Sequence, residues 1–393
     1  IPSLFVVLVG VHVSALPEET LAINSRIDAV AFGEYDATLV DLAGRLSESG
    51  VNDEKFREIR GLAFRSKSSE IVKNEPRPYI EDLDSIPFVS SVYKKFLDIT
   101  PYFYGHSRHP LAVIVTGRGC PFQCTYCVIP QTLQGHRYRK RSIASIVEEF
   151  KYIAENFPGV REIMIEDDTL TADKKRCREF SEALIKSGAC KIPWSANSRA
   201  DVDYETMVLM RKAGCRLFCV GFESGDQRIL DNIKKSLTIE QVRVFMKNAK
   251  RAGILVHGCF MVGNRGETAE TLRKTLCFAK DLNPDTAQFF PIMAYPGTSD
   301  FKYFKEKGWI VTDNFRKWLT DDGLHSSVVS NPELSYETLV AFCDRARREF
   351  YLRPGYIMSK MTQMITHPGE AKRILKAGRT LFKYLLNSPG QTK

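Results

Sequence analysis

The chain has 393 residues, 44% hydrophobic and 26% charged, which excludes a disordered chain and allows two or three packed domains. Ten cysteines, most of them scattered through apolar runs with no cleavable leader ahead, exclude a secreted disulfide scaffold and point to a reducing, cytoplasmic compartment. The net charge of +9 admits a polyanion partner without requiring one, because an excess of Lys and Arg more often coats solvated helix faces.

The opening "IPSLFVVLVGVHVSAL" is apolar, but it lacks a basic leader and is too short to span a bilayer, so it predicts a buried strand. A first residue other than Met, set beside that strand, reads as a fragment or a processed product. Residues 1–50 alternate strand "FVVLVG", helix "PEETLAI", strand "DAVAFG" and helix "TLVDLAGRL", which makes two βα units. The stretch 51–105, rich in Pro and charge ("KNEPRPYIEDLDSIPF"), reads as a linker. Between 106 and 298 six strands are predicted: "LAVIVTG", "EIMIEDD", "IPWSANS", "LFCVGFES", "ILVHGCFMVG" and "TAQFFPIMAY". Amphipathic helices separate them, so the pattern predicts a parallel sheet with right-handed crossovers, of the partial TIM-barrel kind rather than an open one. Closure of such a sheet is not decided by pattern. Residues 299–393 read as a mainly helical tail, with "ELSYETLVAFCDRARREFYLRP" its clearest helix and "EAKRILKAGRTLFKYLL" a basic segment that packs rather than lies on a membrane.

The loop after the first barrel strand, "GRGCPFQCTYCVIPQ" at 117–131, places Cys120, Cys124 and Cys127 in the spacing CxxxCxxC. Three thiolates on one loop hold three irons of a 4Fe-4S cubane and leave the fourth iron open. Zinc is the rival, with His136 closing a Cys3His set, but no second CxxC follows. The neighbouring "GHRYRKR" at 135–141, in which Tyr138 is poised to stack on a base, is the best local nucleic-acid patch.

At "CPFQCTYC" the sequence resembles the radical S-adenosylmethionine (SAM) superfamily, and the six βα units agree with that resemblance strand by strand. The resemblance implies a 4Fe-4S cluster on Cys120, Cys124 and Cys127, SAM chelated to the open iron, and reductive cleavage to a 5′-deoxyadenosyl radical. Tyr126, inside the cysteine loop, is carried over as cofactor-binding. Glu166 and Asp168 share one face of a strand end and are placed to accept from the methionine ammonium, while Asp173 caps the helix that follows. Asn197 and Arg199 end the third strand, and Arg199 offers a fork for the cosubstrate carboxylate or for the acidic triplet. "VGFESG" resembles the family segment that meets the ribose or methionine portion, so Glu223 and Ser224 are assigned there, with Gly221 and Gly225 allowing close approach. Gly263 opens a turn that resembles the family's adenine-side turn, although Asn264 and Arg265 stand where Leu-Pro is usual. Phe289, Met293 and Tyr295 line an adenine pocket or belong to the core. Cys215, Cys219 and Cys259 read as small buried residues rather than a second cluster, and His257 as a core histidine. No further catalytic residue is named.

The first two βα units resemble the last part of the cobalamin-binding domain that precedes the barrel in one subfamily. Gly10, His12, Gly33 and Glu34 then fall on the cobalamin side. Val11 departs from that pattern, no Asp-x-His-x-x-Gly segment lies upstream, and two units are too few for a complete doubly wound domain. The fold class implied is α/β: a partial (βα)6 TIM-type radical SAM barrel, preceded by the C-terminal part of a Rossmann-like cobalamin-binding domain and followed by a mainly helical tail. The function implied is methylation or cyclisation of a small-molecule or lipid-like substrate, with a low-potential donor such as flavodoxin or ferredoxin and no specific nucleic acid. The alternatives are an RNA methylthiotransferase and a non-catalytic, zinc-stapled nucleic-acid-binding module.

Overall fold

The computed structural model describes residues 4–319, 326–366 and 368–387, and the chain divides into two compact units. The first comprises residues 1–83, 118–139 and 293–310. It contains strands β1 (Val7–Leu8), β2 (Ala29–Ala31), β3 (Leu62–Arg65) and β4 (Ile71–Lys73), in that spatial order. β1 and β2 are parallel, whereas β3 and β4 join antiparallel. Helices α1 (Val11–Ala15), α2 (Pro17–Ile23), α3 (Asp36–Ser49) and α4 (Asp53–Arg57) flank the sheet. Alternation along the strands sends Ala29, Leu62 and Phe64 to one face with Leu42 and Phe56, and Val30, Phe32 and Ala63 to the other with Val13 and Leu21. The result is a sheet buried on both sides.

Part of the stretch read as linker is thus ordered sheet. "LAFRSKSSEIVK" is a hairpin whose strands of four and three residues are too short to show alternation, and its turn at Ser66–Ser69 was masked by the surrounding charge.

The second unit comprises residues 84–117, 140–292 and 311–393. Helix α5 (Val89–Phe96) leads to β5 (Leu111–Ile114). Short strands β6 (Gly117–Arg118) and β7 (Arg139–Lys140) form a two-stranded ladder at the two ends of the cysteine loop. Next come α6 (Ile143–Asn156), β8 (Glu162–Ile165), α7 (Lys174–Ser187), β9 (Trp194–Ser198), α8 (Tyr204–Lys212) and β10 (Cys215–Gly221). After them run α9 (Gln227–Asn232), α10 (Ile239–Ala252), β11 (Leu255–Val262), α11 (Ala269–Leu282) and β12 (Thr286–Pro291). The first unit's α12 (Ser299–Glu306) precedes the tail helices α13 (Tyr336–Tyr351), α14 (Pro354–Thr366) and α15 (Pro368–Asn387).

All six predicted strands form, and every ladder among them is parallel, in the order β12-β11-β10-β9-β8-β5. Among the described residues no ladder joins β5 to β12, so the sheet is a partial (βα)6 arrangement. Its helix-facing side is apolar: Ile163, Trp194, Phe218, Val220, Val256, Phe260 and Phe289 are buried there against the helices. Phe289 stacks on Phe260 at 5.2 Å between ring centroids, which places it in this core rather than in a ligand pocket. Asp173 caps α7 by accepting from the Arg176 amide, as the sequence suggests. A register shift between Cys215 and Leu217 turns Arg216 out of strict alternation.

Candidate active site

The cysteine loop is shaped by its own hydrogen bonds. Cys124 is buried, and Cys120 and Cys127 are half-buried. The side-chain amide of Gln131 donates to the Cys124, Thr125 and Cys127 carbonyls at 3.4, 3.3 and 2.7 Å, and its Oε1 accepts from the Ser299 amide at 2.9 Å. One glutamine thereby fixes the backbone on which two of the three thiols stand. Gly119 adopts φ +87°, and a Cβ there would meet the Arg137 carbonyl oxygen at 2.3 Å, so this position requires glycine. The Cys120 amide closes the loop on Gly135. His136 turns its Nδ1 to the Phe122 carbonyl. The all-thiol donor set of Cys120, Cys124 and Cys127 suits the three irons of a 4Fe-4S cluster.

Glu34 is buried, with its two oxygens divided between the loop's ends: Oε1 takes Arg118 Nη1 at 2.7 Å, and Oε2 takes Arg139 Nη1 and the Ile80 amide at 2.8 Å each. Asp36 adds a second carboxylate to Arg118 at 2.8 Å. Burial opposes the charge on Arg118, yet these carboxylates hold its pKa above the ordinary value. Gly10 (φ +115°) and Gly33 (φ +72°) end the parallel strands β1 and β2, and the Gly33 amide donates to Ser14 Oγ at 3.1 Å. His12 lies in α1 beside them, its pKa lowered by burial. The basic run 135–141 is likewise engaged: Arg137 pairs with Glu81, Arg139 with Glu34, Lys140 with Asp173 and Arg141 with Glu149.

In the second unit the polar groups gather at the carboxyl ends of the strands. Just past the end of β8, Asp167 turns inward and accepts from the Thr116 amide and hydroxyl at 2.6 Å each. Asn197 reaches Glu166 at 3.4 Å and the Asp167 carbonyl at 3.0 Å. Desolvation raises the Glu166 pKa, the Asn197 amide opposes this, and the nearby Asp167 charge adds to it. Arg199 is buried and donates to the Lys235 and Ser236 carbonyls at 2.6 and 3.2 Å, with Asp201 rather than the acidic triplet as its carboxylate neighbour at 3.9 Å. Glu223 stands at φ +63° and pairs with Lys235 Nζ at 2.7 Å, both side chains being buried. A Cβ on Gly221 would fall 2.2 Å from Glu223 Oε1, so the glycine makes room for the carboxylate. Ser224 is buried against Thr275 Oγ1 at 3.2 Å. After β11, Glu267 accepts from the Gly263 and Asn264 amides, and burial pushes its carboxyl up to about 8 against those two bonds. Glu267 therefore braces the turn in which Asn264 and Arg265 replace Leu-Pro.

A cavity of about 550 Å³ lies on the inner face of the same sheet. Met164, Glu166, Asn197, Cys219, His257 and Gln288 line it from the strands, and Phe103, Tyr104, His106 and Tyr351 from outside them.

The sequence model of the Radical SAM superfamily matches residues 114–279, the span that holds both the cysteine loop and the strand-end carboxylates. An uncharacterized methyltransferase of Pyrococcus horikoshii is 36% identical over 361 residues, covering 91% of this chain and 74% of the relative. The chain belongs to the radical SAM superfamily. Radical SAM enzymes hold a 4Fe-4S cluster and SAM. An anaerobic magnesium-protoporphyrin IX monomethyl ester cyclase of Rubrivivax gelatinosus is 29% identical over 309 residues, and the chain spans about half, 54%, of that enzyme. Among solved structures, the radical SAM methyltransferase TsrM from Kitasatospora setae, with cobalamin and a [4Fe-4S] cluster bound, superposes with a TM-score of 0.65 at 17% identity, covering 86% of this chain and 71% of that one. That likeness is one of fold.

Three positions of this radical SAM chain carry structural weight without a motif to mark them. Gln131 follows the loop, Lys235 lies twelve residues beyond Glu223, and Glu267 sits after the Gly263 turn. Only the last had a signal, a carboxylate placed to reach back to two free amides.

Proposed function

We propose that this protein is a cobalamin-type radical SAM enzyme that methylates or cyclises a small-molecule or lipid-like substrate. The observation that carries the reading is the loop pre-shaped by Gln131, whose amide bonds three of its carbonyls and so fixes the backbone under two of the three thiols. Cys120, Cys124 and Cys127 would hold the cluster. When bound, it supplies the electron that splits the sulfonium of SAM into methionine and a 5′-deoxyadenosyl radical. Glu166 and Asp168 would accept from the methionine ammonium, and Glu223, Ser224 and Gly263 would contact the nucleoside portion, with Tyr126 on the loop side. Arg199 acts by fixing the Lys235 backbone, and Lys235 Nζ in turn holds the Glu223 carboxyl in place.

The uncharacterized methyltransferase relative and the cobalamin bound in TsrM support the cobalamin half of the reading. Gly10, His12 and Gly33 offer backbone and an imidazole at the carboxyl ends of two parallel strands, the edge where doubly wound sheets take ligands. Glu34 serves there as the fastening of the cysteine loop. We place the enzyme in the cytoplasm, where its ten free cysteines stay reduced and flavodoxin or ferredoxin supplies electrons. No helix among the described residues is long and apolar enough to cross a membrane. The pairing of all four cations of the 135–141 patch argues against RNA as substrate.

The test is anaerobic reconstitution with iron and sulfide, reduction with SAM present, and chromatography for 5′-deoxyadenosine. Brown protein that releases it supports the reading. Cys124→Ala is expected to lose both colour and cleavage while remaining folded, and cleavage at the wild-type rate by that variant would overturn the assignment.

A further inference from the structure

The inner face of the parallel sheet carries a second set of soft donors, separate from the cysteine loop. Cys219 on β10 stands opposite His257 on β11 in the ladder, and Cys259 follows His257 by two, so the three side chains leave one face together. One ligand atom from each lies within 4.8 Å of the other two. They are not members of the apolar core, which takes the alternate positions Phe218, Val220, Val256 and Phe260. Cys219 and His257 instead line the 550 Å³ cavity.

The surroundings suit a ligand histidine. His257 Nδ1 lies 2.7 Å from Thr286 Oγ1 and the Gln288 side chain also bonds the ring, so the imidazole is oriented by its neighbours, as that of a metal-binding histidine commonly is. His106 stacks on that ring at 4.6 Å, and its own Nε2 is buried without a hydrogen-bond partner among the described residues.

We propose that Cys219, His257 and Cys259 bind one zinc-class ion whose fourth position opens to the cavity and takes a carboxylate or nitrogen donor of the substrate. Two thiolates and an imidazole are a soft-to-borderline set that favours zinc over magnesium or calcium. The charge closes as well: each thiol releases one proton on binding, and a dication with two thiolates and a neutral imidazole is neutral overall, which suits a half-buried site. Three protein ligands with an open fourth position mark a site that meets substrate rather than one that staples a fold. Asn197 and Gln288, on the same cavity wall, would then orient the rest of the molecule. The inference stands apart from the cluster assignment because it uses none of the loop cysteines.

The test uses the full chain, purified anaerobically, incubated with zinc sulfate and freed of excess. Zinc and iron per chain are then measured together with the zinc K-edge absorption spectrum. One zinc is expected, with two sulfur neighbours at about 2.3 Å and at least one nitrogen. Changing Cys120, Cys124 and Cys127 together to Ala is expected to remove the iron and leave the zinc. The Cys219→Ser/Cys259→Ser double variant is expected to lose the zinc and keep the iron. His257→Gln, a milder change, is expected to weaken zinc retention at least tenfold with the far-ultraviolet circular dichroism unchanged. The proposal is overturned if the wild type retains no zinc, if the double variant keeps it, or if the loop variant is the one that loses it.

Discussion

Gln131 shows how one uncharged side chain can govern a redox site. Its amide spans three carbonyls of the cysteine loop, and deleting it leaves those acceptors to be satisfied by water or by movement. Gln131→Ala is expected to fold normally but to take up several-fold less iron on reconstitution, checked by iron per chain and the cluster absorption. Glu223 makes a different contribution. Glu223→Gln keeps the shape of the buried pair with Lys235 but removes a charge-assisted bond, and such bonds contribute about 1.5–3 kcal/mol. If the carboxylate holds SAM, the affinity measured by equilibrium dialysis should fall roughly 10- to 100-fold while iron content stays constant. Gly221→Ala should copy that loss, because its methyl group would occupy the space of the Glu223 carboxylate.

At the scale of elements, the cysteine loop is a long excursion whose two ends are fastened by Arg118 and Arg139 to a single carboxylate on the turn after β2. Removing one partner of a buried ion pair costs about 3–5 kcal/mol, because the other charge is left desolvated. Glu34→Gln should therefore lower the urea midpoint and speed iron loss to a chelator, with both readouts moving together. This fastening also marks the limit of what could be read in advance. The six strands, their helices and the three cysteines were visible because they rest on local signals: apolar runs, 3.6-residue periodicity and fixed spacing. The β3–β4 hairpin was missed because its strands are shorter than a full period of alternation. Glu34 stood out as a residue of interest, but its partners lie 84 and 105 positions away, and no periodicity connects residues at such distances. Cys219, His257 and Cys259 looked like core residues because cysteine and histidine in an apolar strand give no sign of which face they occupy until the register is known.

On the scale of the whole second unit, the amino ends of the strands are closed by charge rather than by apolar packing. Glu162 accepts from Arg216 at 2.7 and 3.0 Å and from Ser195 Oγ at 2.6 Å, and Glu370 of α15 joins Arg108, Arg216 and Arg373 in the same network. Burial alone would raise the Glu370 pKa, but Arg216 and Arg373, with hydrogen bonds from Arg373 and Arg108, pull it down to about 2. A carboxyl depressed below its unfolded value of about 4.3 gives stability that is fully present above that pH and is lost as pH falls from there toward 2. Thermal unfolding followed across that window should show the wild type losing more stability than Glu370→Gln, and the two curves should converge at the acid end.

The same network bears on how the chain comes to be made. Arg108 and Glu370 are 262 positions apart, and Arg216 meets that carboxylate across 154. During synthesis the sheet strands emerge long before α15 does, so Arg216 must wait with one of its two anions missing until residue 370 has cleared the ribosome. The emerging sheet, with α13 already packed on β12, therefore lacks the last anion of this network until the final helix arrives.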